Sequence, residues 1–482
     1  MLSVFVWYNL HDLFIWVFWG AGGVSLGNVA MKKILVLGAG NSGRSAARLA
    51  RLQGDEVTLL DSGTPDVRLD GVATVTGRDA LEWRGAADLV VYSPGIPLGS
   101  PLDRIGVATG APCISELAYG ASFLKCPILA VTGTNGKTTT VEMLTHCLNG
   151  AGHRTIAAGN IGLPMSEVAA SGDAPEVLVA EVSSFQLEHP GDFAPAAATL
   201  LNVTPDHLVR HGTMEGYIQA KLNLFQAPST KCSINLDALQ IKQISNAFHN
   251  RIIVSFSTAS GTSADFRMED GWLVRAGRKG TLQRLVNISE LPFSGRHNLE
   301  NALAALALAE AAGIDACAIA PYLRDFQIGA HRLQRVAQVG RTLFIDDSKA
   351  TNVDALIKAL QALREDGDTA TRKIALIAGG VDKECTLEEA IPHLKSEVEG
   401  VFLIGSCAER LQASWGPFVR CAVCSGMEEA VRRAYASLED GGIVLLSPAC
   451  ASQDMFRDYA QRGDVFKAAS AKLAFQIPVT SH

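Results

Sequence analysis

The 482-residue chain has no Lys or Arg before Lys32, so the basic head of a secretory signal peptide is missing. An unbroken apolar stretch long enough for a membrane span is also lacking. The richest candidate, Met1 to Gly20, holds three of the six Trp but is interrupted by Asn9, His11 and Asp12. Excess positive charge is absent as well: the net charge is −7, which removes the bulk electrostatic reason to expect nucleic acid as a partner. Local basic pockets for small phosphorylated ligands remain open. No dense cysteine framework exists; the ten Cys are scattered, as expected for a reducing, cytoplasmic setting. The lone Cys421/Cys424 pair has no further ligands at metal-site spacing and reads as buried apolar cysteine.

What is present is the profile of a packed, loop-rich globular protein, 48% hydrophobic with 45 Gly. The length allows about three domains at roughly 150 residues each. Residues 1–30 differ in character from the remainder of the chain and are expected to be an upstream extension outside the fold; the other reading is a weak membrane anchor. Met31-Lys-Lys-Ile-Leu-Val-Leu-Gly opens directly into a strand. From there apolar strands alternate with helical stretches, the signature of α/β layers with largely parallel sheets. The spacing predicts three successive α/β domains: 31–123, 124–328 and 329–482. The first and last are expected to be Rossmann-like and the central one P-loop ATPase-like, with a more polar β-rich stretch from about Ile252 to Leu291.

Several loops carry chemistry. Gly38-Ala-Gly40-Asn-Ser-Gly43 lies between a strand and a helix, with Asp61 ending the next strand. That is a dinucleotide fingerprint, although any α/β turn packed against a helix can show it. No hydride-transfer site accompanies it, and a second phosphate loop does, so this loop is better used to hold a nucleotide diphosphate that belongs to a substrate. The second loop is Gly133-Thr134-Asn135-Gly136-Lys137-Thr138-Thr139, after strand PILAVT and before a helix. Its backbone N–H groups would wrap phosphate, Lys137 would reach the β- and γ-phosphates, and the Thr138 hydroxyl would ligate Mg²⁺. Val131 stands where the commoner form of this motif has its first Gly.

Glu181 ends strand VLVAEVSS, and Asp206-His207 comes just after strand AATLLNVTP. A carboxylate and a neutral imidazole at that edge can complete a Mg²⁺ shell begun by Thr138. Lys221 reads by itself as a solvated helix lysine. In the last domain, Asp346-Asp347-Ser-Lys349-Ala-Thr351-Asn352, Gly379-Gly380-Val-Asp382-Lys383 and Ser447-Pro-Ala-Cys-Ala-Ser452 each close a strand. Three polar loops on one sheet edge suggest a ligand pocket. Gly329-Ala-His331-Arg332 sits at the domain boundary, where Arg332 could reach ATP phosphates.

Together these residues resemble the Mur ligases, from Met31 to about Lys472. GTNGKTT, EVSSFQLE, NVTPDH, GRHNLENALAAL and GAHR are similar to that family's ATP and metal motifs. DDSKATN resembles the D-glutamate-adding branch; the other branches have DYAHxP- or DAYNANP-like runs there. LSPACASQDMFRDYAQRGDVF and GNIGLP agree with that branch. The resemblance implies ATP-dependent amide-bond formation between UDP-N-acetylmuramoyl-L-alanine and D-glutamate, in peptidoglycan precursor synthesis. It implies ATP, two Mg²⁺ ions, no membrane partner and a monomer. It makes Lys137, Glu181, His207, Lys221 and Lys349 catalytic, with Thr138, Glu181, His207 and a CO₂-carbamylated Lys221 on the metal. Asn298, Asn301, Arg332 and Asp347 join the Gly133–Thr139 loop at ATP. Asn41, Ser42, Asp61, Ser62, Ser93 and Gly95 would hold the uridine diphosphate. Asn160, Ser183 and Gln186 would meet the sugar and peptide end; Thr351, Lys383, Ser452 and Tyr459 would bind the incoming glutamate.

Three positions depart from the family pattern: Val209 for a common Asp, Gln334 for a common acid, and Tyr459 for a common Phe. Two rival readings compete with this one. A folate-polyglutamating ligase shares the central domain but lacks a counterpart of 31–123. A catalytically idle UDP-sugar-binding regulator would not need Thr138, Glu181, His207 and Lys221 all intact.

Overall fold

The structure is a computed structural model that describes residues 9–10, 13–20, 23–28, 31–173, 175–238, 252–277, 281–381 and 386–476. The fold is α/β in three domains, with parallel sheets at the core of each. Before Met31, strands β1 (Asn9–Leu10), β2 (Leu13–Gly20) and β3 (Gly23–Asn28) form a separate antiparallel sheet.

The chain packs as two compact units, the first comprising Met1–Ile128, Ile156–Pro195 and Asn223–Ala227. Its main sheet is built from β4 (Lys33–Leu37), β5 (Glu56–Asp61), β6 (Val72–Thr76), β7 (Leu89–Tyr92) and β8 (Cys113–Ser115), in the order β6-β5-β4-β7-β8 and parallel throughout. This is the doubly wound order, whose ligand crevice lies beyond the carboxyl ends of the strands where the winding reverses, here between β4 and β7. The strands read as near-continuous Val, Ile and Leu because helices cover both faces. Later segments return to this unit through polar anchors. Ser166 N donates to Glu116 Oε1 at 2.6 Å, Ser45 Oγ to Glu167 Oε2 at 2.8 Å, and Ser115 N to the His189 carbonyl at 2.7 Å.

The second unit comprises Leu129–Thr155, Ala196–Leu222 and Pro228–His482. Its first part holds β9 (Ile128–Thr132), which pairs in parallel with β12 (Ala197–Leu200), which in turn pairs with β13 (Lys231–Asn235) and, through it, β14 (Ile253–Ser257). The β-rich stretch expected from the sequence is an antiparallel meander, β15 (Phe266–Glu269), β16 (Trp272–Ala276) and β17 (Leu282–Asn287), continuing the same order. The helix Arg296–Ala312 is buried on almost every side, with Leu299, Leu303, Leu306 and Leu308 inside. Each such Leu contributes about 1.5–3 kcal/mol by leaving water.

The last sheet contains β18 (Gln334–Val339), β19 (Thr342–Asp346), β20 (Ile374–Gly379), β21 (Val398–Ile404), β22 (Cys421–Val423) and β23 (Ile443–Leu446), ordered β18-β19-β23-β20-β21-β22. All pairings are parallel except that of β18 with β19. The carboxyl ends of β19, β20 and β23 therefore share one edge. Among the described residues no helix is long and apolar enough to cross a membrane.

Candidate active site

In the first unit the glycine loop is tied to the sheet edge by its neighbours. Gly38 N donates to the Leu60 carbonyl at 2.7 Å, and Ser93 Oγ donates to the Gly38 carbonyl at 3.0 Å. An ideal Cβ on Gly43 would lie 1.8 Å from that carbonyl oxygen, so only glycine lets the helix Asn41–Leu52 start against the turn. Asp61 accepts the amides of Ala39 and Gly63 at 2.7 and 2.8 Å, holding two loops at once. Asn41, Ser62 and Gly95 are exposed along this edge and Ser42 is half-buried. Asn41 Oδ1 accepts from Arg44 at 2.6 Å.

Further along the same unit, β11 (Val177–Glu181) ends on Glu181, which is buried. Asn160 Nδ2 donates to its Oε1 at 2.7 Å, while Oε2 is buried with no hydrogen-bond partner among the described residues. Ser183 and Gln186 bond each other, the Ser hydroxyl donating to Gln186 Oε1 at 3.0 Å.

In the second unit the phosphate loop follows β9 and leads into the helix Lys137–Gly150. Gly136, at φ +85°, is the N-terminal cap, and a Cβ there would meet Asn301 Oδ1 at 2.4 Å. The first amides of this helix lack intrahelical carbonyls, which suits the turn to cradling an anion such as phosphate. Asn202, just after β12, supports it: its Oδ1 accepts Asn135 N at 2.9 Å and its Nδ2 donates to the Asn135 carbonyl at 3.1 Å. Lys137 Nζ donates to the Gly133 and Thr134 carbonyls, both at 2.9 Å. Thr138 is half-buried and Thr139 buried.

Lys221 is no solvated lysine. It is 1% exposed, its Nζ donates to the Gly133 carbonyl at 2.8 Å, and it lies 4.4 Å from the centre of the Tyr217 ring. Tyr217 also shares a 3.2 Å hydrogen bond between its hydroxyl and that of Thr134. His207 holds a left-handed backbone at φ +54°, and its amide donates to Asp206 Oδ1 at 2.9 Å.

Asn298 and Arg332 line a common cavity of about 410 Å³ together with Phe293, Gly329 and Gln334. Asn301 instead lies beside the phosphate loop, accepting the Thr140 hydroxyl at 3.3 Å. Burial and the nearby cations Lys358 and Arg332 push His297 down to about 4, so it stays neutral. Asp347 is pushed up to about 7 by burial, offset by the Ser447 hydroxyl at 2.8 Å and the Leu333 amide at 3.2 Å.

The loops after β19, β20 and β23 are bound together by Arg462, which sequence reasoning left without a role. Its guanidinium donates to Ser348 Oγ and the Ser348 carbonyl at 3.0 and 2.8 Å, and to the Cys450 carbonyl at 3.0 Å. The Lys349 ammonium sits 3.7 Å over the Tyr459 ring, and Ser452 is buried on the third loop. Thr351 is half-buried on the first. Lys383 lies outside the described residues.

The Mur ligase middle domain matches residues 131–309, and the glutamate ligase domain of the Mur ligases matches 331–450. A UDP-N-acetylmuramoylalanine–D-glutamate ligase of Pelotomaculum thermopropionicum is 40% identical over 90% of this chain and 96% of its own length. The chain belongs to the Mur ligase family. A second ligase of the same name, from Acidobacterium capsulatum, is 37% identical over 90% of this chain and 95% of its own. In fold, the MurF ligase of Thermotoga maritima in complex with ADP has a TM-score of 0.56 at 16% identity, covering 93% of this chain and 96% of that one. As a Mur ligase the chain uses ATP and Mg²⁺, and the phosphate cradle suits both. Within the first unit, the unpartnered buried Glu181 oxygen is itself suited to a cation, because a buried carboxylate oxygen without a donor is costly unless a cation meets it.

Proposed function

We infer that this chain is the ligase that joins D-glutamate to UDP-N-acetylmuramoyl-L-alanine in peptidoglycan precursor synthesis, converting ATP to ADP and phosphate. The observation that carries this is near full-length similarity, 40% over 96% of a relative of that name. A carboxylate is a poor electrophile, so the L-alanyl carboxylate first attacks the γ-phosphorus of ATP and ADP leaves. The amine of D-glutamate then attacks the acyl carbon of the acyl phosphate, and phosphate departs with the acyl–oxygen bond broken and a proton lost from nitrogen. Two anions must meet in the first step. Lys137, on the loop, and Arg332, lining the cavity, would supply compensating positive charge.

Mg²⁺ would add Lewis-acid charge neutralisation at the phosphates, with Thr138, Glu181, His207 and Lys221 as ligands. Carbamylation of Lys221 by CO₂ would turn a cation into an anionic ligand. Its support is the burial of a lysine beside the phosphate loop, with its ammonium set against a backbone oxygen and a ring face. The loop residues Asn41, Ser42, Asp61, Ser62, Ser93 and Gly95 would hold the uridine diphosphate. Asn160, Ser183 and Gln186 would meet the sugar and alanyl end, and Asn298, Asn301 and Asp347 would complete the ATP site. Thr351, Lys383, Ser452 and Tyr459 would take the glutamate, and Lys349 would approach the phosphates. Domains at 31–123, 124–328 and 329–482, a monomer and a cytoplasmic location complete the proposal.

Two expected outcomes test it. ADP release in the presence of UDP-N-acetylmuramoyl-L-alanine should depend on D-glutamate, with little turnover on diaminopimelate, lysine or D-alanyl-D-alanine, because hydroxyls and a lysine suit a small diacid. Preference for L-glutamate at equal concentration would overturn the acceptor and leave the ligase. Deleting residues 1–30, whose strands pair with no other sheet among the described residues, should leave a soluble enzyme with wild-type turnover. Loss of activity in the truncated protein would show the segment to be part of the working enzyme.

A further inference from the structure

Asn135 belongs to the phosphate loop, yet its side chain faces the start of the helix Val353–Glu365. Its Nδ2 donates to Asp354 Oδ2 at 2.6 Å and to Asn352 Oδ1 at 3.4 Å, while its Oδ1 accepts from Asn352 Nδ2 at 3.2 Å. The same Asn352 Nδ2 donates to Asp206 Oδ2 at 3.2 Å, beside His207. Asn352 also caps its helix, accepting Ala355 N at 2.8 Å, and Lys358 Nζ holds Asp354 at 2.9 Å. Asn352 and Asp206 are 3% and 5% exposed, so water competes little for the bond between them.

Residues 349–352 lead directly into this cap and carry Lys349 and Thr351. We propose that Asn352 and Asp354 are positioning residues that latch the acceptor loop 347–352 onto the phosphate loop through Asn135. The latch rests on the assignment of that loop to glutamate. Amide–amide and amide–carboxylate bonds of this kind weaken steeply once donor and acceptor separate beyond hydrogen-bond range. The shapes of the two loops are therefore one equilibrium: whatever orders the phosphate loop favours the ordered acceptor loop, and the reverse holds by the same factor. Asn135 thus works as the joint between the energy-supplying half of the reaction and the amine-binding half.

The test uses the full chain with Asp354→Ala and with Asn352→Ser, the latter keeping a cap oxygen for Ala355 N. Both should raise the KM for D-glutamate by about tenfold, a typical coupling between sites, while the KM for the UDP substrate stays within about twofold. Hydrogen exchange reads the latch without turnover. Asn135→Ala should speed exchange at the amides of 353–356, and Asp354→Ala should speed it at 134–136. An unchanged glutamate KM would overturn the latch, as would a rise in all three KM values with lowered melting temperature, or exchange changes confined to the mutated segment. If the wild-type enzyme ignores D-glutamate while the reciprocal exchange effects appear, the acceptor assignment falls and the latch stands.

Discussion

Lys221→Ala should abolish ligation, leaving less than a tenth of wild-type turnover. The side chain is buried at 1% exposure against the Gly133 carbonyl and the Tyr217 ring, so its loss opens a cavity at the phosphate loop as well as removing the proposed carbamate. A buried lysine truncated to Ala costs packing from its four-carbon stem, and that alone would lower stability by a few kcal/mol at most, about 2 being ordinary for such a cavity. The two effects part company on rescue. Formate or acetate added to the variant should occupy the vacated space and restore part of the turnover, because each carries the anionic oxygens that a carbamate would supply. A variant retaining more than a tenth of wild-type activity would exclude the carbamate role. A folded but inactive variant that no short carboxylate restores would reassign Lys221 to holding the loop through Gly133.

Gly136→Ala should be nearly as damaging, for a backbone reason. At φ +85° a side-chain-bearing residue is strained by about 1–2 kcal/mol, and the new Cβ would meet Asn301 Oδ1 at 2.4 Å. Asn301 cannot retreat freely, since it is buried and accepts the Thr140 hydroxyl from the same helix. The loop must shift instead, and kcat/KM for ATP should fall by roughly a hundredfold, about 2.7 kcal/mol of transition-state stabilisation. The effect on the UDP substrate's KM should be small. Measured against Asn301→Ala alone, Gly136→Ala in the Asn301→Ala background keeps the φ strain but loses the clash, so a smaller effect there than in the wild-type background measures the two terms separately. A Gly136→Ala enzyme with unchanged KM for ATP would remove the loop from nucleotide binding.

The sequence by itself determined the three α/β layers, the strand ends that carry the loops, and the family. These rest on local signals: apolar runs that only a doubly covered strand needs, and glycines at turns no other residue can make. Gly43 is legible because its missing Cβ is required by a carbonyl five residues away. The phosphate loop is legible for the same reason. Lys221 was not: nothing in YIQAKLNLF separates a solvated helix lysine from one buried against Gly133, and the family resemblance alone raised it. Arg462 was invisible as a tie among three loops, because apart from the Ser348 hydroxyl its partners are the carbonyls of Ser348, Gly379 and Cys450, which any residue would offer. The company that residues 31–123 keep was not legible either. Residues 156–195 pack with that sheet through Glu116, Ser45 and Ser115, bonds that span between 50 and 122 positions in Glu116–Ser166 and Ser45–Glu167. Only the tertiary structure decides such pairings, since a carboxylate and an amide so far apart carry no mark of each other until the chain has closed the loop between them.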